Sequence, residues 1–279
     1  MLINVTSLAE YLYCSRKLFL RNVLLVEEAP KEVMLMGTIR HETFDRINKI
    51  EENVVSNIKK STDQQEIQKL YFDNYCSMLR KSIINNKDGL KYFNLDLFKT
   101  YKKILPSFSC EARVRANNVH SFMIKNNVFG EELWEKLTPK IKSELRMSSE
   151  KLMLKGIIDK VEVWGEHHVP FELKTGKAPN DGMWPGHRIQ IGAYILLLEE
   201  KFKTHRRGFI HYLDIDDKRE LTMNPFLEDE IKTTTISVKD LLSGNELPEF
   251  CGNDNKCATC GLKEKCFDKN LINDKLTRL

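Results

Sequence analysis

A mixed α/β fold, in which a sheet is flanked by helices and interrupted by a helical insertion, is predicted for this 279-residue chain. Three features predict it. From residue 144 to 174 apolar side chains alternate with period two, the pattern of a strand meander. Stretches with helical periodicity precede and follow this meander, and a helix with strands on either side of it in sequence packs as a mixed layer. Residues 50–143 are rich in Lys, Asn and Asp and carry helical periodicity of their own. No repeat and no Pro/Gly/Ser-rich linker divides the sequence, so residues 1–279 read as a single domain carrying an insertion at 50–143.

Taken in order, residues 7–21 read as a helix with a capping box from Ser7 to Glu10 and an interruption at Cys14 and Ser15. Residues 32–48 form a second helix carrying Met36, Gly37 and His41. Within the insertion, periodicity marks helices near 63–85, 91–104 and 129–143. Strands follow at 144–147, 153–163 and 169–174, the last two joined by a turn at 164–168. The next helix, at about 186–201, sets Ile189, Ala193, Leu196 and Leu197 on one face. Two further strands, 207–213 and 218–223, and a helix at about 226–243 lead into a cysteine-rich tail.

Composition narrows the class. Hydrophobic content of 41% supports a real core, and no run reaches the ~18 apolar residues of a membrane span. The first residues lack the charged and apolar regions of a secretory signal, so a cytoplasmic location away from membranes is expected. Seven cysteines then argue for metal thiolates or buried thiols rather than disulfides. The net charge of +4, from 44 basic and 40 acidic side chains, neither demands nor excludes a nucleic-acid partner. Any such affinity has to come from a local groove.

Two constellations carry chemistry. Cys257, Cys260 and Cys266 read C-x2-C-x5-C, and cysteines two residues apart can both face inward from one turn. Cys14, about 240 residues upstream, is the expected fourth ligand, because it explains why both chain ends carry cysteine; Cys251 is the local alternative. With Cys14, residues 1–21 and 244–279 form one metal-bound region. Four thiolates suit zinc or an iron–sulfur cluster, and spacing does not choose between them. Cys76 and Cys110 have no cysteine at ligand spacing and read as ordinary thiols. The second constellation is acidic. Asp159 and Glu172 stand on neighbouring strands, and Lys174 shares a face with Glu172. Paired carboxylates repel unless a cation joins them, and an ammonium beside a metal-bound water and a phosphate stabilises developing negative charge. This is a layout for metal-assisted phosphodiester hydrolysis. Gln190 and Tyr194 share a face of the following helix, where they either serve the site or pack the helix onto the sheet, and His41, one turn after Gly37, can add an imidazole. Glu144 reads as a strand-edge charge, with a second acidic site residue as the alternative, and Arg16, Lys17 and Arg21 as solvated or phosphate-contacting bases.

Six segments together resemble the RecB-type branch of the PD-(D/E)XK nucleases: residues 14–21 from Cys14, Gly37 to His41, Gly156 to Asp159, Phe171 to Lys174, His187 to Tyr194, and the cysteine tail. Within it the chain is similar to the CRISPR-associated exonucleases, the fourth Cas family, and to the nuclease domain of replication nuclease-helicases. The resemblance implies a RecB-like nuclease domain of restriction-endonuclease-like fold. It implies that His41, Asp159, Glu172 and the Leu173 carbonyl hold Mn2+ or Mg2+, with Lys174 catalytic and Gln190 and Tyr194 engaging DNA. It further implies a 4Fe–4S cluster on Cys14, Cys257, Cys260 and Cys266. The expected activity is exonucleolytic, with endonucleolytic cutting also open to it, on mainly single-stranded DNA during CRISPR spacer acquisition alongside integrase proteins. The competing readings are a replication or repair nuclease served by a separate helicase, and a non-catalytic iron–sulfur or zinc DNA-binding module. The stretch between His41 and Glu144 is longer than compact members need, and no G-x4-G-K-[ST] loop is present to make a motor.

Overall fold

The strand meander builds a six-stranded mixed sheet, seen in a computed structural model that describes residues 1–278. In chain order the elements are β1 (Ile3–Asn4), α1 (Val5–Tyr13), α2 (Ser15–Asn22), α3 (Glu32–Ser56), α4 (Gln64–Asn85), α5 (Lys87–Tyr92), α6 (Leu97–Asn126) and α7 (Gly130–Lys136). The meander follows as β2 (Lys140–Ser149), β3 (Leu154–Trp164) and β4 (His167–Lys174). The remainder is α8 (Pro185–Glu199), β5 (Arg207–Tyr212), β6 (Asp217–Thr222), α9 (Pro225–Ser243), α10 (Asp254–Ala258), α11 (Lys263–Phe267) and α12 (Lys269–Leu276).

β2 pairs antiparallel with β3 from Lys140↔Val163 to Ser149↔Leu154. On the opposite edge of β3, parallel β1 covers Leu154 and Lys155, while antiparallel β4 covers only Lys160 to Trp164. Residues 156–159 of β3 therefore have no ladder partner on that edge. Parallel β5 and antiparallel β6 complete the sheet beyond β4. Helix α8 packs against the sheet with α1 and α9 beside it. Its four expected core residues are buried, and so are Ile191, Tyr194, Ile195 and Leu198, because neighbours cover it on more than one face.

Several boundaries moved, each for a tertiary reason. The capping box from Ser7 to Glu10 does not form: β1 docks on β3, α1 starts at Val5, Ser7 is buried, and Glu10 pairs with Arg21 at 2.9 Å. The break at Cys14 does occur, and its Sγ accepts the Lys17 N–H at 3.3 Å to cap α2. Helix α6 runs through Pro106, which removes one helical hydrogen bond. A continuous buried face from Thr100 through Ile104, Phe108 and Ala112 to Met123 carries it past that point. Residues 140–143, expected to be helical, pair instead with 160–163, because the sheet ladder outweighs local periodicity.

The helical segment has its own core, in which Phe44 and Ile47 of α3 meet Tyr71, Leu79, Phe108 and Val119. Within it lies a buried ion pair: Arg115 bonds both Glu51 oxygens, Tyr71 donates to Glu51 Oε1 at 2.9 Å, and Arg115 Nη1 reaches the Pro139 carbonyl at 2.9 Å. A third cluster joins the chain ends, with Phe19, Leu20, Leu24 and Val26 against Leu262 and Ile272. Removing one partner of a buried pair leaves a charge without compensation. Glu51→Ala should therefore lower unfolding free energy by about 3–5 kcal/mol in urea titrations. Replacing Glu51 with Leu and Arg115 with Met together should recover most of that loss.

Candidate active site

Where β3 and β4 part, a side chain replaces the missing ladder bond: Asp159 Oδ2 accepts the Leu173 N–H at 2.8 Å. In a strand the N–H and C=O of one residue point to the same edge, so the Leu173 carbonyl also faces this gap. His41, from α3, brings Nδ1 to 3.3 Å from Asp159 Oδ1. Glu144 stands across β2 from Asp159, between the pairs Ser143↔Lys160 and Leu145↔Ile158. Its φ of +50° is rare for a residue with a side chain. Ligand atoms of His41, Glu144 and Asp159 all lie within 4.8 Å of one another. These three line an open cleft with Gly37, Thr38 and Thr175.

Glu172 lies next to this group but is only 5% exposed. Its Oε1 is well served, taking bonds from Lys174 Nζ at 2.8 Å and Gln190 Nε2 at 2.7 Å. Gln190 Oε1 in turn accepts from Lys174 Nζ at 2.8 Å. Glu172 Oε2 is buried with no hydrogen-bond partner. Burial and then the charge of Asp159 push the Glu172 pKa up to about 7, against the pull of Lys174 and His41. Burial, with Asp159 next, also raises Glu144. At His41 burial disfavours the charged ring, yet the hydrogen bond and charge of Asp159, helped by Glu172 and Glu144, lift its pKa above the ordinary value. Partial burial, and then the Lys174 charge, push the His187 pKa down to about 3.

This donor set fits a divalent cation. Carboxylates that raise one another's pKa, an imidazole beside them and a buried carboxylate oxygen with no proton donor all gain from a shared positive charge. An imidazole among oxygen donors suits Mn2+ better than Mg2+.

The expected residues divide by position. His41 and Asp159 line the cleft with Glu144, while Glu172, Leu173 and Lys174 adjoin it from β4, with the Leu173 N–H bonded to Asp159 and Lys174 to Glu172. Gln190 and Tyr194 are 3% and 1% exposed, so they lie beneath the site rather than on a DNA-facing surface. Gln190 grips Glu172 and Lys174, and its Nε2 sits 3.4 Å from the Tyr194 hydroxyl. Tyr194 explains Gly156 on β3, where a Cβ would meet the ring at 2.7 Å. Gly37 has no such role, since a Cβ there would rest at an ordinary 3.5 Å from Thr175 Oγ1. Of the two readings of Glu144, strand-edge charge or second acidic site residue, its position beside His41 and Asp159 favours the second. Its signal was the register itself: a hairpin turning at 150–153 sets 144 opposite 159.

The cysteine centre gathers all five terminal thiols. Cys14, Cys251, Cys257, Cys260 and Cys266 line one pocket with Tyr13 and Phe250. Cys251 Sγ is 3.4 Å from Cys257 Sγ, so the local alternative lies in the same pocket as Cys14. The hydrogen bond to Cys251 pushes the Cys257 thiol up to about 11. Burial raises Cys14. Arg16, expected to be solvated or on a phosphate, is buried here: Nε donates to Cys266 Sγ at 3.3 Å, Nη1 to the Pro248 carbonyl at 2.7 Å, and the guanidinium stacks 4.0 Å over Phe250. Lys17 and Arg21 are held by Glu28 and Glu10. Crowded thiols beside a guanidinium are a soft donor set that a thiolate-bound metal centre fits.

A sequence profile of the PD-(D/E)XK nuclease superfamily matches residues 3–267. A CRISPR-associated exonuclease Cas4/endonuclease Cas1 fusion from Myxococcus xanthus is 28% identical over 144 residues, 49% of this chain and 25% of that protein. The CRISPR-associated exonuclease Cas4 of Francisella tularensis subsp. novicida is 31% identical over 129 residues, 45% of this chain and 62% of the relative. The DNA replication ATP-dependent helicase/nuclease DNA2 of Xenopus tropicalis is 24% identical over 293 residues, 95% of this chain but 26% of its own length. Each match thus spans less than two thirds of the relative. The profile runs through every strand of the sheet, both carboxylate strands of the cleft and the cysteines at both ends, and the chain belongs to the PD-(D/E)XK nuclease superfamily.

Proposed function

We propose that this chain is a metal-dependent DNA exonuclease, able to cut internally as well, that prefers single strands and prepares DNA for CRISPR spacer acquisition. The observation that carries the hydrolase reading is the buried, half-satisfied Glu172 carboxylate beside Asp159 and His41, with Lys174 bonded to it. His41, Asp159, Glu172 and the Leu173 carbonyl would hold Mn2+ or Mg2+, with Glu144 adjoining. A bound divalent ion there would polarise the phosphodiester and lower the pKa of a water. Lys174, held between Glu172 and Gln190, keeps its ammonium beside the cleft, where it would orient an attacking water and stabilise the negative charge that develops on the phosphate. Gln190 acts by positioning Lys174 and Glu172. The relatives named as Cas4 and Cas4/Cas1 fusions support the CRISPR setting and an integrase of the Cas1 kind as partner. The replication or repair reading is favoured by one observation, the 95% coverage of this chain by its match to the helicase/nuclease. Spacer acquisition in cells, with and without the gene, separates the two.

For the thiols we propose a 4Fe–4S cluster on Cys14, Cys257, Cys260 and Cys266, with Arg16 donating to Cys266 Sγ. The cluster would tie the two chain ends across the pocket they already share.

Lys174→Ala should slow Mn2+-dependent cleavage of end-labelled single strands roughly 100- to 1000-fold while Mn2+ affinity by calorimetry stays near wild type. Asp159→Ala and Glu172→Ala should lose Mn2+ binding along with cleavage. Cleavage at wild-type rate by all three would remove the assignment.

The Glu172 carboxyl keeps its proton to about pH 7 in the fold, against an ordinary value of 4.5. Between those values the folded state binds the extra proton, so metal-free protein should lose stability as pH rises through that window. Metal affinity should run the other way, increasing from pH 6 to pH 8 as the proton leaves. Melting curves and Mn2+ titrations at both pH values check this; Glu172→Gln should flatten the melting trend.

Iron and sulfide analysis of purified protein should find both elements, and Cys14→Ser should deplete them as fully as Cys260→Ser. Cys251→Ser should retain them. The reverse result for Cys14 and Cys251 would give Cys251 the fourth position, and zinc in place of iron would replace the cluster.

A further inference from the structure

The corner made by the end of α4, by α5 and by the start of α6 is charged out of proportion to the chain. Residues 80–103 carry seven basic and two acidic side chains, a local excess of +5 where the whole chain has +4. All seven basic side chains are exposed. Lys103 has Glu32 at 3.8 Å; the other six have no carboxylate within 4.0 Å among the described residues. Of the two acids, Asp96 caps α6 by accepting the Lys99 N–H at 2.7 Å.

Aromatic rings stand among these lysines. Tyr92 is 70% exposed and Phe98 62%, with Ile84 and Leu97 also exposed beside them in sequence. Lys102 Nζ sits 4.4 Å over the Phe98 ring, and Tyr92 packs edge-on against Phe93 with centroids 5.0 Å apart. The neighbouring Leu90 and Ile104 are fully buried, so the helices already have a core and these rings are left over from it. Lysine is depleted at protein–protein interface cores, whereas rings interleaved with ammonium groups match a strand of unstacked bases joined by phosphates.

The corner also abuts the cleft. A Cβ at Gly89 of α5 would lie 3.0 Å from Leu35 Cδ1, and Lys103 reaches Glu32. Leu35 is six residues before His41 on α3, about 9 Å along the helix axis. Val33 and Met34, beside it, line the cleft with His41 and Asp159.

We propose that Tyr92 and Phe98, with Lys91, Lys99 and Lys102 around them, form a stacking platform that holds single-stranded DNA at the mouth of the cleft. The platform reads unpaired bases by their faces and the backbone by its charge; a duplex keeps its base faces stacked inside and gains only from the charge. This rests on the nuclease reading above, since it names where that site takes its strand.

The test uses the full chain in metal-free buffer, with fluorescein-labelled oligothymidylate and a blunt duplex followed by anisotropy. Tyr92→Ala/Phe98→Ala should weaken oligothymidylate binding by about tenfold or more, with duplex affinity unchanged. Tyr92→Trp/Phe98→Trp should restore it. Lys99→Ala/Lys102→Ala should lower the slope of log K against log salt by about 1.4, from roughly 0.7 per phosphate contact on single strands. Circular dichroism and melting curves confirm folding of each variant. Unchanged single-strand affinity in the aromatic variant overturns the platform and leaves the corner to an acidic protein partner. Equal losses on both DNAs also overturn it, since the rings would then not distinguish unpaired bases from a duplex. Failure of the wild-type chain to cut with Mn2+ would sink the nuclease reading instead, and is read separately from binding.

Discussion

A carboxylate at 5% exposure in the middle of a sheet has to be compensated, and the surroundings of Glu172 compensate one oxygen only. Lys174 and Gln190 hold Oε1 in a closed triangle, which obliges α8 to lie where its buried face presents Gln190 beneath β4. That position brings Tyr194 under β3, where only a glycine leaves space for the ring. With β1 and β4 covering the two ends of one β3 edge, the gap at 156–159 lets Asp159 take the Leu173 N–H and turn its other oxygen toward His41. The site is thus a local failure of sheet pairing, repaired by side chains whose remaining acceptors all face one way.

The helical segment is held in register with that site by buried charge as well as by apolar packing. Glu111 of α6 meets Lys160 of β3 at 3.3 Å and Lys218 of β6 at 3.8 Å. Burial works against the Glu111 charge, yet these two ammonium groups keep its pKa at about 2. Lys160 also reaches Glu162 at 3.2 Å. A second clamp acts next to the β3–β4 hairpin: Arg40, buried beside His41, pairs with Asp214 at 2.7 Å, and Asp214 accepts the Gly176 N–H at 2.6 Å. Helix α3 is therefore tied, through Asp214, to the loop that leaves Lys174.

At the chain ends, contacts across more than 220 residues surround the thiols. Lys256 Nζ and the Tyr13 carbonyl meet at 2.8 Å, Lys31 Nζ reaches the Thr259 carbonyl at 2.9 Å, and Lys265 Nζ reaches the Glu27 carbonyl at 2.8 Å. Most of these are lysine tips on backbone carbonyls, weak individually and partly exposed. They add to the buried cluster of Phe19, Leu20, Leu24 and Val26 with Leu262 and Ile272, against which Cys260 and Cys266 pack.

Much of this was legible in the residues alone. Period-two alternation from 144 to 174 marked the meander, D-x12-E-x-K across one turn marked the neighbouring carboxylates, and the terminal cysteines marked the thiols that line one pocket, because strand period and turn length are local properties. The length of α6 past Pro106 and the strand at 140–143 were not legible, since each depends on a partner surface far away in sequence. Glu144 entered the site only when the β2–β3 register set it across from Asp159, and Gln190 and Tyr194 turned inward only because α8 is covered on several faces. The sequence by itself determined which groups exist and which share a face. Tertiary structure decided which of them are desolvated, and desolvation is what separates a surface charge from a carboxylate held near pH 7 with one oxygen free.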